Sequence, residues 1–255
     1  MELFLAQTTP FWLLFVLIGL LGGFVKGAVG FAMPMIVISG LSSFAAPELA
    51  LATLIIPAAI MNGVQALQSG IGAAIGSARN HWRFIAIGLV GILISAQLVR
   101  VLPQWALFLA IGVPVTFFAT LQLLGWALRF TPSQRRVAEL GLGGVAGMMG
   151  GLSGIWGPPT VLYLTALNIA KQESLRIQGV VYGAGAVTLM GAHVQSGVLN
   201  LQTLPFSLAM IVPTGIGLAI GMLYGTRLDQ QKFRRMTLLV LVLVGLNLIR
   251  RGIMG

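Results

Sequence analysis

The chain has 255 residues, of which 57% are hydrophobic and only 8% are charged, and its formal net charge is +10. Soluble domains carry about a quarter charged residues, so lipid must cover most of this surface. The composition excludes a water-soluble globule, and the absence of cysteine excludes disulfides, thiol catalysis and cysteine metal sites.

Apolar segments in the first half predict one interrupted element followed by three membrane spans. The interrupted element covers about residues 11–41 and contains several glycines and Pro34. Glu2 precedes it instead of a basic region, and no small-x-small cleavage site follows, so we expect a retained segment rather than a cleaved signal peptide. The three spans are predicted at about 48–70, 84–101 and 104–128.

The second half repeats this order after the polar stretch Thr131–Arg136. Its last apolar run has only fourteen residues between Arg235 and Arg250. That run can span only if the arginines extend to the membrane surface or the helix starts earlier. The interrupted element is predicted at about 137–167, and the spans at 175–197, 204–226 and 234–250.

A duplicated glycine motif supports this division. Glycines at 19, 23, 27 and 30 precede Pro34, and the same spacing returns 124 residues later at 143, 147, 151, 154 and Pro158. Five coincident residues in one register indicate an internal duplication. We therefore predict two homologous repeats, at residues 1–130 and 131–255.

The distribution of charge favours one of two topologies for the interrupted elements. If each element crosses once, the basic residues other than Lys26 divide seven to seven between the two sides. If each enters and returns as a hairpin, eleven fall on one side, and only Arg100, Arg250 and Arg251 fall on the other. The second arrangement has the asymmetry that places basic loops in the cytoplasm.

We therefore predict an all-α, polytopic transmembrane protein of two inverted repeats, each with one Gly/Pro-broken hairpin and three spanning helices. The expected location is the bacterial inner membrane, with both termini periplasmic. Because the basic residues form short clusters between apolar segments, the positive charge is assigned to membrane topology. We expect the lipid bilayer, and no nucleic acid, as a partner, and the sequence predicts no particular oligomeric state.

The paired glycine motif resembles that of the TauE/SafE family of sulfite and organosulfonate exporters, part of the toluenesulfonate-uptake permease group. The resemblance covers the whole chain. Lys26 and Ala28 depart from the more glycine-rich versions of the first motif, whereas the second motif, Gly150-Gly151-Leu152-Ser153-Gly154, is closer. The resemblance implies transport of anionic sulfur compounds or related small organic anions, in either direction.

Two interpretations of the glycine motif stay open. Small residues at every third or fourth position let helices pack closely, which requires no ligand. Alternatively, helices broken near the midplane direct N–H groups and a positive dipole end at an anion. On the second interpretation, the substrate-binding candidates around the two breaks are Gly27, Gly30, Pro34, Gly151, Ser153, Gly154, Trp156 and Pro158.

Lys26 is the charged residue that lies deepest in an apolar segment, roughly fifteen residues from either flank. A charge there costs several kcal/mol unless it meets water or a partner. It either extends to the membrane surface from a shallow hairpin or serves as the counter-charge of an anionic substrate. Asn62 and Gln65 lie on one side of the predicted span 48–70, where they either bond neighbouring helices or contact the substrate.

His193 is the one histidine predicted inside a span, and we consider it a proton-coupling candidate because its unperturbed pKa is near neutrality. The five acidic residues all fall in predicted loops or at helix starts. A carboxylate relay or cation site at the midplane is therefore poorly supported, which favours an anion carrier. We predict no metal and no cofactor.

The predicted function is a secondary transporter, an exporter of small anionic sulfur compounds such as sulfite or organosulfonates, with alternating access around the broken helices. The alternatives are an uptake permease or channel for another small organic anion, or a non-transporting membrane scaffold. An intramembrane enzyme would need a paired aspartate, an HExxH motif or a Ser–His arrangement within the spans, and the sequence supplies none.

Overall fold

The computed structural model describes residues 2–30, 32–125, 130–131, 134–224 and 230–254. Every regular element among these residues is helical, and seven of the helices are long and apolar enough to cross a membrane. The prediction of an all-α, polytopic membrane fold is therefore confirmed.

The helices of the first half are α1 (Glu2–Leu5), α2 (Thr9–Val29), α3 (Met33–Ser42), α4 (Pro47–Leu67), α5 (Ile71–Asn80), α6 (Trp82–Ala96) and α7 (Gln104–Leu123). A 3₁₀ turn, Gln97–Arg100, extends α6. Those of the second half are α8 (Arg135–Ser153), α9 (Gly157–Ala166), α10 (Lys171–Ser196), α11 (Leu204–Tyr224) and α12 (Gln230–Met254).

Three helices differ from the sequence-based expectation, and the shortest of them is α1, which was not predicted. The last helix begins at Gln230 and ends at Met254, so it gains its spanning length by extending beyond Arg235 and Arg250 at both ends. Helix α5 was not predicted, because its small residues and its length of ten residues resemble a loop. Its position is fixed by Arg176 Nε, which donates to Ser77 Oγ at 2.9 Å.

Each interrupted element turns back on itself. A Cβ on Gly22 would lie 2.9 Å from Val37, and one on Gly40 would lie 3.0 Å from Ile18, so α3 runs antiparallel along α2. In the second half, Tyr163 Oη of α9 donates to Glu139 Oε1 of α8 at 3.3 Å. Helix α9 therefore also returns along its predecessor.

The first three glycines of each motif pack two parallel helices together. A Cβ on Gly23 or Gly27 would meet the carbonyl of Thr214 or Leu218 on α11. On α8, a Cβ on Gly151 would lie 2.6 Å from the carbonyl of Ile92 on α6. Helix α2 thus packs on α11 as α8 packs on α6, which is the close approach that small residues permit.

The remaining long helices pair across the halves. Helix α4 runs antiparallel to α10, where a Cβ on Gly179 would lie 2.6 Å from the Ala66 nitrogen. Helix α7 runs antiparallel to α12, where a Cβ on Gly252 would lie 2.9 Å from the Trp105 carbonyl. Each principal pair therefore joins a helix of one half to a helix of the other, and the pair α2–α11 has its counterpart in α8–α6. The repeat boundaries and the inverted orientation in a membrane stay predictions.

The directions of the helices place each connecting loop at one of two opposite ends of the bundle. At the terminal end, the Phe4 and Phe206 rings lie 5.0 Å apart, and Arg251 donates to the Ser42 carbonyl. At the opposite end, called here the linker end, Arg135 donates to the Asn80 carbonyl at 2.7 Å. Both described chain ends lie at the terminal end.

Replacing Gly147 by alanine is expected to destabilise the protein by about 1–3 kcal/mol, because the new methyl group would overlap the Gly88 backbone on α6. Gly144, one turn away on α8, has no heavy atom within 4 Å of the same position, so Gly144→Ala is the matched control. Thermal unfolding in detergent measures both variants. Equal melting temperatures for the two would contradict the packing assignment.

Candidate functional site

The two helix breaks face one small cavity inside the bundle. Helix α2 ends at Gly30 with φ of 86°, and Ala32, with φ of 76°, precedes α3. Helix α8 ends at Gly154 with φ of 66°. The cavity has a volume of about 20 Å³, enough for about one water molecule. Its lining residues are Lys26, Ala32, Pro34, Met35, Asn62, Ile155, Trp156, Gly157 and Tyr182.

Lys26 directs its ammonium group into the protein. The residue is only 3% exposed, and its Nζ donates to Asn62 Oδ1 at 2.6 Å and to Gln65 Oε1 at 2.7 Å. No carboxylate among the described residues forms an ion pair with it. The charge is thus held by two neutral amide oxygens, which satisfy two of the three ammonium donors.

Asn62 leaves a second donor available beside this lysine. Because Lys26 can only donate, the Asn62 carbonyl oxygen must face it, and the amide nitrogen Nδ2 points elsewhere. That nitrogen is buried and has no hydrogen-bond partner in the described structure. Gln65, by contrast, uses its nitrogen to donate to the Leu175 carbonyl at 3.1 Å. The site therefore has donors that no described acceptor satisfies, which is the complement of a small anion.

Aromatic side chains form the opposite wall. Trp156 and Tyr182 are 3% and 4% exposed, and the Lys26 ammonium lies 6.0 Å from the centre of the Tyr182 ring. Tyr182 Oη donates to the Gly157 carbonyl at 3.2 Å, which ties α10 to the start of α9. This wall gives the cavity an aromatic, largely apolar side.

The first turn of α3 adds a positive dipole end. The N–H groups of Met33 and Met35 precede the first carbonyl acceptors within the helix, and Pro34 between them has no N–H. In α9, two prolines follow Gly157, so only the Gly157 N–H is available in that part of the turn. The two breaks therefore contribute unequally, and α3 presents more backbone donors than α9.

Five predicted residues come together at this site. Lys26, Pro34, Asn62 and Trp156 line the cavity, and Gln65 contacts Lys26 from the adjoining turn. The two breaks thus meet at one place although their motifs are 124 residues apart.

The other predicted residues around the breaks lie outside the cavity lining. Gly27 and Gly151 face α11 and α6, where a Cβ would meet backbone atoms. Gly30 and Gly154 end helices with positive φ, which favours glycine. Ser153 Oγ donates to the Met149 carbonyl at 2.7 Å within α8. Pro158 lies in the first turn of α9 and is buried.

His193 also lies away from the cavity lining. It is fully buried, with Nε2 3.1 Å from the Gly151 carbonyl and Nδ1 3.1 Å from Ser196 Oγ. The first of these contacts joins α10 to α8, and the second lies within α10. The proton-coupling role that the sequence predicts for His193 stays a prediction.

Ala32, Met35, Ile155 and Gly157 line the cavity but were not named as substrate-binding candidates, and Tyr182 was weighed only as one of several polar residues of its span that either bond neighbouring helices or contact the substrate or a proton. Tyr182 carried a usable signal, because it is a polar aromatic residue inside an apolar span, one helical turn after Gln178. Met35 and Ile155 carried none, since apolar residues in apolar helices have no distinguishing pattern. Their role follows only from where the breaks meet.

An ionised cluster lies at the linker end, apart from the cavity. Glu139 is 2% exposed, and its Oε1 accepts from Arg135 Nε at 2.9 Å. Arg83 lies 3.8 Å from Oε2. Tyr163 Oη contacts both Glu139 and His81 Nδ1, the latter at 2.8 Å. Burial, and to a lesser extent the nearby Arg135, lower the pKa of His81.

Comparison with known proteins identifies one family. The profile described as "Sulfite exporter TauE/SafE" matches residues 15–248, which is most of the chain. No curated protein and no solved structure matches. Among the described residues, no group of three or more histidine, aspartate or glutamate side chains could hold a metal ion.

Proposed function

Because the chain belongs to the TauE/SafE family of sulfite exporters, we propose that it is a secondary carrier that exports a small anionic sulfur compound, such as sulfite or an organosulfonate. Proteins of this family are transporters rather than enzymes. Seven apolar helices of spanning length agree with a multi-pass membrane transporter. The particular anion, the direction and the alternating-access mechanism are parts of the proposal.

The observation that carries the proposal is the buried pair Lys26 and Asn62. An ammonium without a carboxylate partner and an amide nitrogen without an acceptor share one cavity. Buried polar groups are normally satisfied, and a buried charge is costly without a partner. A bound oxyanion would accept from both groups and reduce both costs, so anion binding has a physical driving force at this place.

Alternating access is the mechanism that we propose for this site. Seven of the nine lining residues are buried, and Pro34 and Gly157 are partly exposed, which corresponds to a nearly closed site that must open to load or release. Helices α2 and α8 reach the cavity from opposite ends, and each packs on its neighbour through glycines. Such smooth contacts allow one hairpin to shift against its neighbour and expose the cavity to one side at a time.

We further propose that the linker end is cytoplasmic and that both termini are periplasmic, in the bacterial inner membrane. The described basic residues at the linker end include Arg79, Arg83, Arg135, Arg136 and Arg176, whereas those at the terminal end are Arg100, Arg250 and Arg251. The excess of positive charge on one side is what sets membrane orientation. The linker position Ser133 lies outside the described residues.

Cysteine labelling tests this orientation, and the chain has no native cysteine to interfere. Ser69→Cys at the linker end and Ala46→Cys at the terminal end both replace exposed residues. In intact cells whose outer membrane has been permeabilised, a membrane-impermeant maleimide is expected to label position 46 and not position 69. Position 69 should react only after the cells are disrupted. The reverse pattern in intact cells would show that the assignment is wrong.

Counterflow in proteoliposomes tests the carrier function. Vesicles loaded with unlabelled sulfite are expected to take up external radiolabelled sulfite transiently, because a carrier exchanges one anion for another. A channel would show no stimulation by internal substrate, and a scaffold would show no flux. Protein-free vesicles provide the background. Flux without stimulation would contradict the carrier, and no flux with any small sulfur anion would contradict transport altogether.

A further inference from the structure

The cavity carries a single formal charge. Among its described lining residues, Lys26 is charged and the others are neutral. Of the five acidic residues in the chain, Glu48 and Glu173 lie in the first turns of α4 and α10. Glu139 is paired with Arg135 at the linker end. No described carboxylate therefore contributes to the charge balance of the site.

This balance determines which anions the site favours once the cavity, which now has room for about one water molecule, has widened to admit one. Charges interact strongly and are poorly screened in a low-dielectric interior, so the closed complex is most stable when its net charge is zero. A monovalent anion neutralises Lys26. A divalent anion of the same shape would leave one uncompensated negative charge beside Trp156 and Tyr182, and it would also lose more hydration on entering the cavity.

The structure also offers no described acidic side chain to bind a coupling cation within the spans. Acidic side chains inside membranes commonly form ion pathways and proton relays, and the described acidic residues lie near the helix starts. Lys26, the charged group among the described lining residues, is positive and therefore attracts the anionic substrate rather than a cation. A coupling cation therefore has no described carboxylate at the cavity to hold it.

We propose, on the basis of the proposed function, that this carrier selects monovalent anions and moves one net negative charge outward with each anion. The inside-negative membrane potential then drives export directly, and no coupling cation is required. Selection by the charge of the anion is therefore stronger than selection by the group attached to its sulfur atom.

Methanesulfonate and sulfate separate valence from shape, because both are tetrahedral and of similar size, but they carry one and two negative charges. Binding to purified protein is measured by titration calorimetry at one pH and one ionic strength. We expect methanesulfonate to bind at least tenfold more tightly than sulfate. Lys26→Met should abolish this difference, whereas Lys232→Met, an exposed lysine in the first turn of α12, should retain it.

Membrane potential tests the charge moved per cycle. Proteoliposomes carrying methanesulfonate are clamped at defined potentials with potassium gradients and valinomycin, and the steady distribution of the anion is measured. We expect the ratio of external to internal anion to rise tenfold for each ~59 mV of inside-negative potential, the value for one charge. A ratio that ignores the potential would show electroneutral transport and overturn the inference.

The outcomes separate this inference from the proposed function. Transport of methanesulfonate that does not respond to potential, or sulfate that binds as tightly as methanesulfonate, overturns the valence selection but leaves an anion carrier. Failure of methanesulfonate, sulfate and sulfite alike to bind or exchange overturns the carrier and the inference together. A tenfold preference with the expected voltage dependence supports both.

Discussion

Replacing Lys26 by methionine is expected to weaken anion binding at least tenfold while leaving the protein folded. Methionine keeps the length and the apolar character of the side chain but removes the ammonium group that contacts Asn62 and Gln65. A tenfold loss corresponds to ~1.4 kcal/mol, which is a modest demand for a buried, charge-assisted contact. Folding should survive because the variant no longer buries an unpaired charge.

Titration of sulfite or methanesulfonate into the purified variant measures the loss, and its melting temperature checks folding. Lys232→Met is the matched control, because it removes a lysine that is exposed at the linker end. Lys26→Arg should keep part of the affinity, since the charge stays although its shape differs. A well-folded Lys26→Met protein with wild-type affinity would show that the helix ends and neutral donors hold the anion without the lysine.

Replacing Asn62 by aspartate is expected to reduce anion affinity at least a hundredfold, about 2.7 kcal/mol, without loss of stability. The new carboxylate would lie where Oδ1 now accepts from Lys26 at 2.6 Å. It would form an internal ion pair with the ammonium, remove the unpartnered amide donor and repel an incoming anion. In this variant, the new carboxylate would occupy the position beside the Lys26 ammonium that we assign to the substrate anion.

The control for this variant is Asn247→Asp. Asn247 on α12 accepts from Arg250 at 3.1 Å, so the same substitution also places a carboxylate beside a basic group, but away from the cavity. Affinity by titration and melting temperature are measured for both. If Asn62→Asp binds the anion as the wild type does, then the Lys26 ammonium is not available to substrate, and the anion site lies elsewhere.

The sequence predicted those parts of the fold that contact with lipid constrains most strongly. Apolar length predicted the spanning helices, and the charge count predicted that the broken elements return on themselves, as α3 does along α2. Helix α5 was missed, because a ten-residue helix of glycine, alanine and serine has no spanning length. Its helicity depends on its place between α4 and α6 and on the bond from Arg176.

The site was only partly predictable for a different reason. A lysine inside an apolar segment is visible in the sequence, and the structure places it in the cavity lining, while its counter-charge role stays a prediction. Glycine spacing, however, is the same for close packing as for ligand approach. The structure separates the roles, because Gly27 and Gly151 face neighbouring backbones while Gly30 and Gly154 end their helices.

Corresponding positions of the two predicted repeats are stabilised by different contacts. Phe11 and Phe15 of α2 have ring centres 5.9 Å apart near the terminal end, and 124 residues later the chain has Arg135 and Glu139. Those two form the ion pair at the linker end. Equivalent positions are therefore held by aromatic packing at one end and by buried charge at the other, although the helix pairing is shared.

The central claim is that a small anion binds between Lys26 and Asn62, where the two helix breaks meet. Hydrogen selenite, the monovalent selenium analogue of hydrogen sulfite, can be located by anomalous X-ray scattering from crystals grown with it. We expect one selenium peak in this cavity, with an oxyanion placed to accept hydrogen bonds from Lys26 Nζ and Asn62 Nδ2. A selenium peak at another site, with this cavity empty in a protein that exchanges selenite, would contradict the account.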